Sequence, residues 1–261
     1  LQKLPDFPWD LLAPYGDKAK KHPDGFIDLS QGTPVDPTPK FIQDALSKAS
    51  NSPSYPLTAG SEELRAAIKD FAIKTLGVTG EFDVLPTIGS KELIALLPTF
   101  LQSKTVLYPA VAYPTYLVGA LMASAQPTPV EIDATTWPVA DLAWVNSPSN
   151  PTGQVQSSEQ LLAAINWARK NNSILASDEC YLSFTTTGKS ILALSGGNNS
   201  GLLAVHSLSK RSNLAGYRAA FLIGDSKLID QIRQIRKHAG LMVPLPVQQA
   251  MIAALSENKH A

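Results

Sequence analysis

The stretch from residue 205 to residue 218 combines a lysine with several hydroxyl groups and an arginine. Lys210 lies between two apolar runs, each of which is typical of a short buried strand. A lysine that is removed from water near a second cation has a lowered pKa and can attack a carbonyl group. The hydroxyls and Arg218 could hold an anion such as a phosphate. The stretch therefore predicts a nucleophilic lysine beside an anion site, although a surface turn could contain the same residues.

Four polar clusters come directly after predicted strands, at residues 89–91, 146–150, 178–181 and 207–210. In an open α/β sheet, ligands bind beyond the carboxyl ends of the strands, so these clusters should meet at one site. Arg218 differs because it precedes its strand. It can reach the same site only if that strand runs antiparallel to the others. The position of Arg218 therefore predicts one antiparallel strand.

Strand-like runs and helical stretches alternate along most of the chain. The runs are 84–85, 105–108, 130–132, 142–146, 174–177, 202–205 and 219–223, and the main helical stretches are 40–49, 62–75, 90–101, 115–125, 158–170, 227–238 and 247–256. This alternation predicts an α/β fold with a mostly parallel sheet. The first forty residues are rich in proline, and we expect an extended or docked arm with a short strand at 27–34.

The composition fits one large or two small domains with a sizeable core, because 44% of the 261 residues are apolar. The 22 basic and 22 acidic residues balance, so nothing suggests a nucleic-acid or anionic-membrane partner. The four histidines lack metal-ligand spacing, and no apolar run is long enough to cross a bilayer. The single cysteine, Cys180, excludes an internal disulfide and fits a reducing compartment, so we expect a cytoplasmic protein.

Three motifs occur in an order and spacing that resemble a known family. They are SNPTG at 149–153, DECY at 178–181, and SLSK at 207–210, which is followed by Asn213, Gly216 and Arg218. Together they resemble the fold-type I pyridoxal-phosphate enzymes of the class I/II aminotransferase group, over nearly the whole chain. The resemblance implies pyridoxal 5'-phosphate as cofactor and a three-layer fold. It also implies an arm and part of a small domain at 1–38, a large cofactor-binding domain at 39–244, and the start of an incomplete small domain at 245–261.

The resemblance implies a role for each residue around the cofactor ring. Lys210 matches the lysine that forms a Schiff base with the cofactor and moves a proton at the substrate α-carbon. Asp178 matches the carboxylate that pairs with the pyridine nitrogen and keeps it protonated. Tyr181 and Asn150 match the groups that donate to the phenolic oxygen. From the residues alone, Asp178 could instead cap a helix or turn, and Tyr181 could be an ordinary core tyrosine.

The resemblance also implies a phosphate site and a stacking residue. Ser207 and Arg218 match phosphate ligands. The backbone N–H groups of Ser90 and Lys91, at the start of a predicted helix, would bind the same phosphate. Tyr113 matches the aromatic residue that stacks on the pyridine face. The loop before Ser90 could also be an ordinary helix cap, and Tyr113 could serve only core packing.

Further residues of the family pattern concern the substrate and a partner subunit. Tyr55 matches a tyrosine that reaches the phosphate of the neighbouring subunit, which implies a homodimer with shared active sites. Gly32 matches a turn near the substrate carboxylate, to which Asn150 also contributes, and the Asn150–Pro151 bond could be cis. Relatives continue past the end of this chain and carry there an arginine for the substrate α-carboxylate. Arg233 and Arg236 do not match it, because their helix is predicted to be amphipathic and solvated.

The phrases at 32–39, 85–93 and 207–218 look like the actinobacterial succinyldiaminopimelate aminotransferases. This likeness implies amino transfer between glutamate and the keto form of N-succinyl-LL-2,6-diaminopimelate, in lysine and diaminopimelate biosynthesis, with small amino and keto acids as the partners. Another aminotransferase, or a carbon–sulfur lyase of the same fold, would use the same cofactor residues. A cofactor-binding regulatory module would require a preceding DNA-binding domain. The first forty residues do not favour one, because they are proline-rich and not basic.

Overall fold

Seven strands form one sheet at the centre of the computed structural model, which describes residues 4–30, 32–258 and 260–261. The strands are β1 (Asp83–Ile88), β2 (Thr105–Pro109), β3 (Gln126–Val130), β4 (Leu142–Asn146), β5 (Ile174–Asp178), β6 (Leu202–Ser207) and β7 (Ala219–Gly224). Their order across the sheet is β1-β7-β6-β5-β4-β2-β3. The ten α-helices of the described residues are α1 (Pro8–Ala19), α2 (Lys40–Lys48), α3 (Glu62–Lys74), α4 (Ser90–Phe100), α5 (Thr115–Met122), α6 (Ser158–Asn171), α7 (Ile191–Leu194), α8 (Leu208–Arg211), α9 (Ser226–Ala239) and α10 (Leu245–Ser256).

The antiparallel strand that the position of Arg218 predicts is β7. It runs antiparallel to β6 on one side and to β1 on the other, whereas β2 to β6 pair in parallel. The register joins Ala220 to Ser207 and Ala219 to Ile88. Arg218, directly before β7, therefore lies beside the ends of both β6 and β1. The predicted topology is confirmed.

Helices cover both faces of the sheet and make three layers. One hydrophobic cluster joins the sheet to α3, α6 and α10, and a second joins it to α4, α5 and α9. We call these the α3/α6/α10 face and the α4/α5/α9 face. Successive residues of a strand point to opposite faces, so Leu175 belongs to the first cluster and Ala176 to the second. The predicted α/β sandwich is confirmed.

Both edge strands contain proline, and this explains an error in the predicted boundaries. Pro86 lies in β1, and Pro127 and Pro129 lie in β3, which occupies 126–130 rather than the predicted 130–132. Proline lacks the N–H that a ladder needs, so a run with two prolines does not suggest a strand. An edge strand tolerates proline at outward positions. Gln126 donates to Lys104 O at 2.7 Å and Val130 O accepts from Ala110 at 2.9 Å, so both prolines of β3 point away from β2.

Several helix ends carry the predicted caps, whereas the N-terminal arm differs from the prediction. Ser61 Oγ accepts from the backbone N of Leu64 at 3.2 Å, and Ser157 forms the predicted capping box with Gln160. The arm contains α1, which starts with a proline in its first turn, where the missing N–H costs nothing. The described part of 27–34 contains no strand. The strand and the extended alternative were therefore wrong predictions, whereas the packing of Phe7 and Trp9 against Lys91 agrees with the docked alternative.

The helix α9 is not solvated on the side that carries Arg236. This arginine is fully buried at 0% exposure, and its two terminal nitrogens donate to Glu92 at 2.7 and 3.0 Å. Glu92 lies in the first turn of α4 and also accepts from the backbone N of Ile88 at 3.1 Å. Because α9 packs against α4, the charge of Arg236 is satisfied inside the protein. The predicted solvated position is wrong for Arg236, whereas Arg233 stays partly exposed beside Asp83.

Two negative findings apply to the described ranges. None of their helices combines the length and apolar character needed to span a bilayer. No three His, Cys, Asp or Glu side chains among them come close enough together to hold a metal ion. Cys180 is a buried free thiol.

Candidate active site

A pocket of about 480 Å³ opens beyond the carboxyl ends of β5 and β6. Ten of the eleven predicted site residues line it: Gly32, Ser90, Lys91, Tyr113, Asn150, Asp178, Tyr181, Ser207, Lys210 and Arg218. They come from strand ends, helix starts and the N-terminal segment, so sheet topology is what brings them together. Tyr55 is absent from the described lining, and 94% of its surface is exposed.

Lys210 projects into this pocket from the short helix α8, which follows β6 without a loop. Its Nζ donates a hydrogen bond to the carbonyl oxygen of Gly32. Burial lowers the pKa of Lys210 from its ordinary value, because a partly dehydrated ammonium ion is disfavoured. The side chain therefore has the environment that a nucleophilic amine requires.

Asp178 is the last residue of β5 and is only 5% exposed. Its Oδ1 accepts from the backbone N of Cys180 at 3.1 Å, and its Oδ2 accepts from the hydroxyl of Tyr116 at 2.7 Å. Burial raises the pKa of the Asp178 carboxyl, although the two donors and the nearby His206 act in the opposite direction. A cation in the pocket, such as a protonated ring nitrogen, would stabilise the charged form of this buried carboxylate.

An anion cradle lies where α4 begins. Gly89 precedes this helix with a φ of 74°, and a Cβ built on it would lie 2.1 Å from Nη2 of Arg218. Glycine is thus required both by the left-handed backbone and by the guanidinium packed over it. The first N–H groups of α4, from Ser90 onward, have no partner within the helix and attract negative charge. Together with Ser207, whose hydroxyl begins α8, these groups fit a phosphate.

Two tyrosines and an asparagine form the remaining polar wall. Burial raises the pKa of Tyr113, and it raises the pKa of Tyr181 to about 12, so both hydroxyls keep their protons at neutral pH. The backbone N of Asn150 donates to Asn146 Oδ1 at 2.7 Å, which holds the loop after β4. The Asn150–Pro151 bond is cis, as expected, and the unpredicted Ser147–Pro148 bond is cis as well.

The pocket also contains residues that the sequence did not suggest. Phe7 and Trp9 of the N-terminal segment line it, and Lys91 Nζ lies 4.4 and 5.9 Å from the centres of their rings. Trp9 Nε1 also donates to Ser30 O at 3.0 Å. No local pattern could have shown this packing, because it joins distant parts of the chain. Tyr116 lies three residues after Tyr113, but no local pattern shows that its partner is Asp178 on β5.

Comparison with known proteins gives a consistent result. The profile of the family described as "Aminotransferase class I and II" matches residues 24–261. Over 100% of this chain and 75% of its own length, 4-dedimethylamino-4-oxo-anhydrotetracycline transaminase OxyQ of Streptomyces rimosus is 46% identical. The probable aminotransferase Rv1178 of Mycobacterium tuberculosis is 46% identical over 98% of this chain and 64% of its own length. An LL-diaminopimelate aminotransferase of Dehalococcoides mccartyi is 32% identical over 90% of this chain and 66% of its own length.

Solved structures show the same likeness. The aminotransferase AspB of Helicobacter pylori superposes with a TM-score of 0.88 at 31% identity, covering 99% of this chain and 75% of that one. A probable N-succinyldiaminopimelate aminotransferase of Thermus thermophilus has a TM-score of 0.87 at 27% identity, covering 95% and 73%. The chain thus spans from 64% to 75% of the length of the relatives and structures named here.

Proposed function

Because the chain belongs to the class I and II aminotransferases, a family of pyridoxal-phosphate enzymes, we propose that it transfers the amino group of glutamate to a keto acid bearing a second carboxylate. The proposed keto acid is the keto form of N-succinyl-LL-2,6-diaminopimelate. The observation that carries the proposal is that Lys210, with its lowered pKa, and the buried Asp178 line one pocket beside the anion cradle at Gly89.

The residues of the pocket would hold the cofactor at both of its ends. In the proposal, Ser207, Arg218 and the first N–H groups of α4 bind the phosphate, while Asp178 faces the ring nitrogen and Tyr113 the ring face. Tyr181 and Asn150 donate to the phenolic oxygen. When bound, pyridoxal phosphate supplies an aldehyde for amines and a ring that accepts electrons from the substrate α-carbon.

The reaction requires a base that can both remove and return a proton. Lys210 fits this role because its lowered pKa leaves more of the amine neutral near physiological pH. Its hydrogen bond to Gly32 O fixes the direction of Nζ within the pocket. Asp178, kept away from water, holds a proton on the ring nitrogen most strongly when the carboxylate itself is charged.

The charge of the pocket favours an anionic substrate. Its described lining has three cationic side chains, Lys91, Lys210 and Arg218, against the single carboxylate of Asp178. These cations and the positive end of α4 attract anions into the pocket. The relatives named LL-diaminopimelate aminotransferase and the N-succinyldiaminopimelate aminotransferase structure point to the same class of substrate.

A second candidate substrate comes from the relative OxyQ, whose name describes transamination of an anhydrotetracycline ketone. Its identity to this chain exceeds that of the diaminopimelate aminotransferases. The aromatic rings of Phe7 and Trp9 in the pocket wall would suit a flat polycyclic substrate. The two candidates use the same cofactor residues and differ only in what the outer pocket accepts.

The experiment that separates these candidates is a single-turnover measurement on the holoenzyme. We expect glutamate and N-succinyl-LL-diaminopimelate to change the visible spectrum of the bound cofactor, and free LL-diaminopimelate to react at least about tenfold more slowly. Lys210→Ala should abolish the change, while the matched variant Lys189→Ala, an exposed lysine, should retain it. A faster reaction with an aminated anhydrotetracycline would favour the second candidate. Release of pyruvate and ammonia from cystathionine would indicate a lyase instead.

The proposal includes a homodimer with shared sites, supported by the exposure of Tyr55 (94%) and of Leu57 (67%) in the same loop. In this arrangement, Tyr55 reaches the phosphate of the partner subunit. Residues 39–244 form the cofactor-binding domain, with 1–38 as its arm and 245–261 as the start of a small domain, in a cytoplasmic enzyme. Mixing inactive Lys210→Ala subunits with Tyr55→Ala subunits should create one intact site per hybrid dimer and raise activity. Unchanged activity after verified subunit exchange would contradict shared sites.

A further inference from the structure

Tyr116 is a fully buried tyrosine whose only polar atom beyond the backbone points at the carboxylate of the candidate site. Its hydroxyl donates to Asp178 Oδ2 at 2.7 Å, and its exposure is 0%. We propose that Tyr116 is a positioning residue, which orients Asp178 and stabilises its carboxylate form for the ring nitrogen of the cofactor. This inference rests on the proposed function, because it assumes the role given there to Asp178.

The hydrogen bonds of Asp178 show how its orientation is fixed. One oxygen is held by the backbone N of Cys180 and the other by Tyr116, so neither oxygen can rotate without losing a donor. Each carboxylate oxygen can accept two hydrogen bonds, and one acceptor position on each remains for a donor in the pocket. A hydroxyl that donates to an ionised carboxylate forms a charge-assisted bond, which is stronger than a neutral one, and 2.7 Å lies within the range of such bonds.

Tyr116 can carry out this task because its own position is fixed. Its ring lies between Trp144, with centroids 5.2 Å apart, and Tyr113, with centroids 6.0 Å apart and planes at 86°. Tyr113 is the residue proposed to stack on the cofactor ring. Tyr116 in the first turn of α5, and Tyr113 two positions before that helix, would therefore hold the ring nitrogen, through Asp178, and the ring face.

Burial and the neighbouring groups shift the pKa of the Asp178 carboxyl in opposite directions. Burial raises the pKa of the carboxyl, and the donors Cys180 and Tyr116 lower it, as does the charge of His206. Of these, Tyr116 is the donor that a substitution can remove without altering the backbone or the ring packing. Burial also raises the pKa of Tyr116 well above its ordinary value, so its hydroxyl remains a donor throughout the neutral range.

The test compares Tyr116→Phe with Tyr108→Phe in the full chain. Tyr108 is a partly buried tyrosine of β2 that packs on the same hydrophobic cluster but does not bond Asp178. For Tyr116→Phe we expect pyridoxal phosphate to bind about tenfold more weakly when titrated into cofactor-free protein. In the holoenzyme, the pH midpoint of the visible absorption should rise by about one unit. A less protonated ring withdraws fewer electrons from the nitrogen that links the cofactor to Lys210.

A double-mutant cycle separates an effect through Asp178 from a general loss of packing. In an Asp178→Asn background, Tyr116→Phe should change neither affinity nor midpoint further, because the charge it supports is gone. Additive effects, or equal effects of Tyr108→Phe, would overturn the inference and leave the proposed function intact. Wild-type protein that binds no cofactor at Lys210, tested by borohydride reduction and peptide mass, would overturn both.

Discussion

Two buried carboxylates that are neighbours in sequence point to opposite faces of the sheet. Asp178 faces the α4/α5/α9 side, is 5% exposed and lines the pocket. Glu179 faces the α3/α6/α10 side, is 2% exposed and takes part only in contacts within the protein. The strand alternation alone separates the two roles. Burial of a carboxylate is therefore no sign of a catalytic role until its face of the sheet is known.

The contacts of Glu179 show what the structural carboxylate does. Its Oε1 accepts from the backbone N of Ile191 at 2.9 Å, at the start of α7. Its Oε2 lies 3.0 Å from His206 Nε2, although the angle is not that of a hydrogen bond. The ring of His206 in turn stacks on Phe221, with centroids 5.4 Å apart. Glu179 thus joins α7 to β6, whereas Asp178 retains acceptor capacity toward the pocket.

The largest effect should come from Asp178→Asn, which removes the charge on the pocket side. We expect kcat/KM to fall at least about 1000-fold, because a neutral amide cannot hold a proton on the ring nitrogen. The thermal midpoint should move by no more than about 3 °C, since burial already disfavours the charged form. Steady-state kinetics and calorimetry measure the two quantities. Near-normal kcat/KM in a folded variant would remove the distinction between the two carboxylates.

Glu179→Gln should lower the stability of the fold and leave kcat/KM nearly unchanged, which is the reverse of the result expected for Asp178→Asn. The amide oxygen of the glutamine can still accept from the backbone N of Ile191. The substitution removes the negative charge beside His206, so we expect a loss of about 1–2 kcal/mol in the free energy of unfolding. Denaturant unfolding measures this loss, and kcat/KM should change little. A large loss of activity with normal stability would show that the second face also takes part in the reaction.

Gly89→Ala tests the cradle on the pocket side with a smaller expected effect. The new Cβ would lie 2.1 Å from Arg218 Nη2, so the guanidinium must move, and we expect about tenfold weaker cofactor binding. Gly240→Ala is the matched control, because Gly240 has a similar φ of 71° but nothing within 4 Å of its added Cβ. Both variants should lose similar stability, and only Gly89→Ala should lose affinity. Equal affinities would show that Arg218 does not form the cradle.

The smallest expected effect concerns the ionisation of one tyrosine, Tyr181, and leaves the fold unchanged. Burial raises the pKa of Tyr181 to about 12, whereas a tyrosine in water ionises near about 10. The ultraviolet difference between wild type and Tyr181→Phe, measured in cofactor-free protein, should therefore show one tyrosinate forming with a midpoint near 12. A midpoint near 10 would place Tyr181 in water rather than in the pocket wall.

Local patterns predicted those parts of the molecule that depend on neighbouring residues. The alternation of strands and helices gave the fold class, and the position of Arg218 before its strand gave the direction of β7. The sequence-based predictions were wrong where contacts between distant parts of the chain determine the structure. The prolines of β3 are acceptable only because that strand lies at the edge, and Arg236 is buried only because Glu92 meets it. Tyr116 needed the fold as well, since its partner lies on another element.

The outward-facing prolines also limit how copies of this chain can meet. Ile88 donates to Glu92 rather than to β7, so Pro86, two residues earlier, also points away from its neighbouring strand, as Pro127 and Pro129 do. Neither border of the sheet can offer an unbroken row of donors to an incoming strand. The same three proline rings therefore disfavour growth of the sheet by strand pairing at either edge.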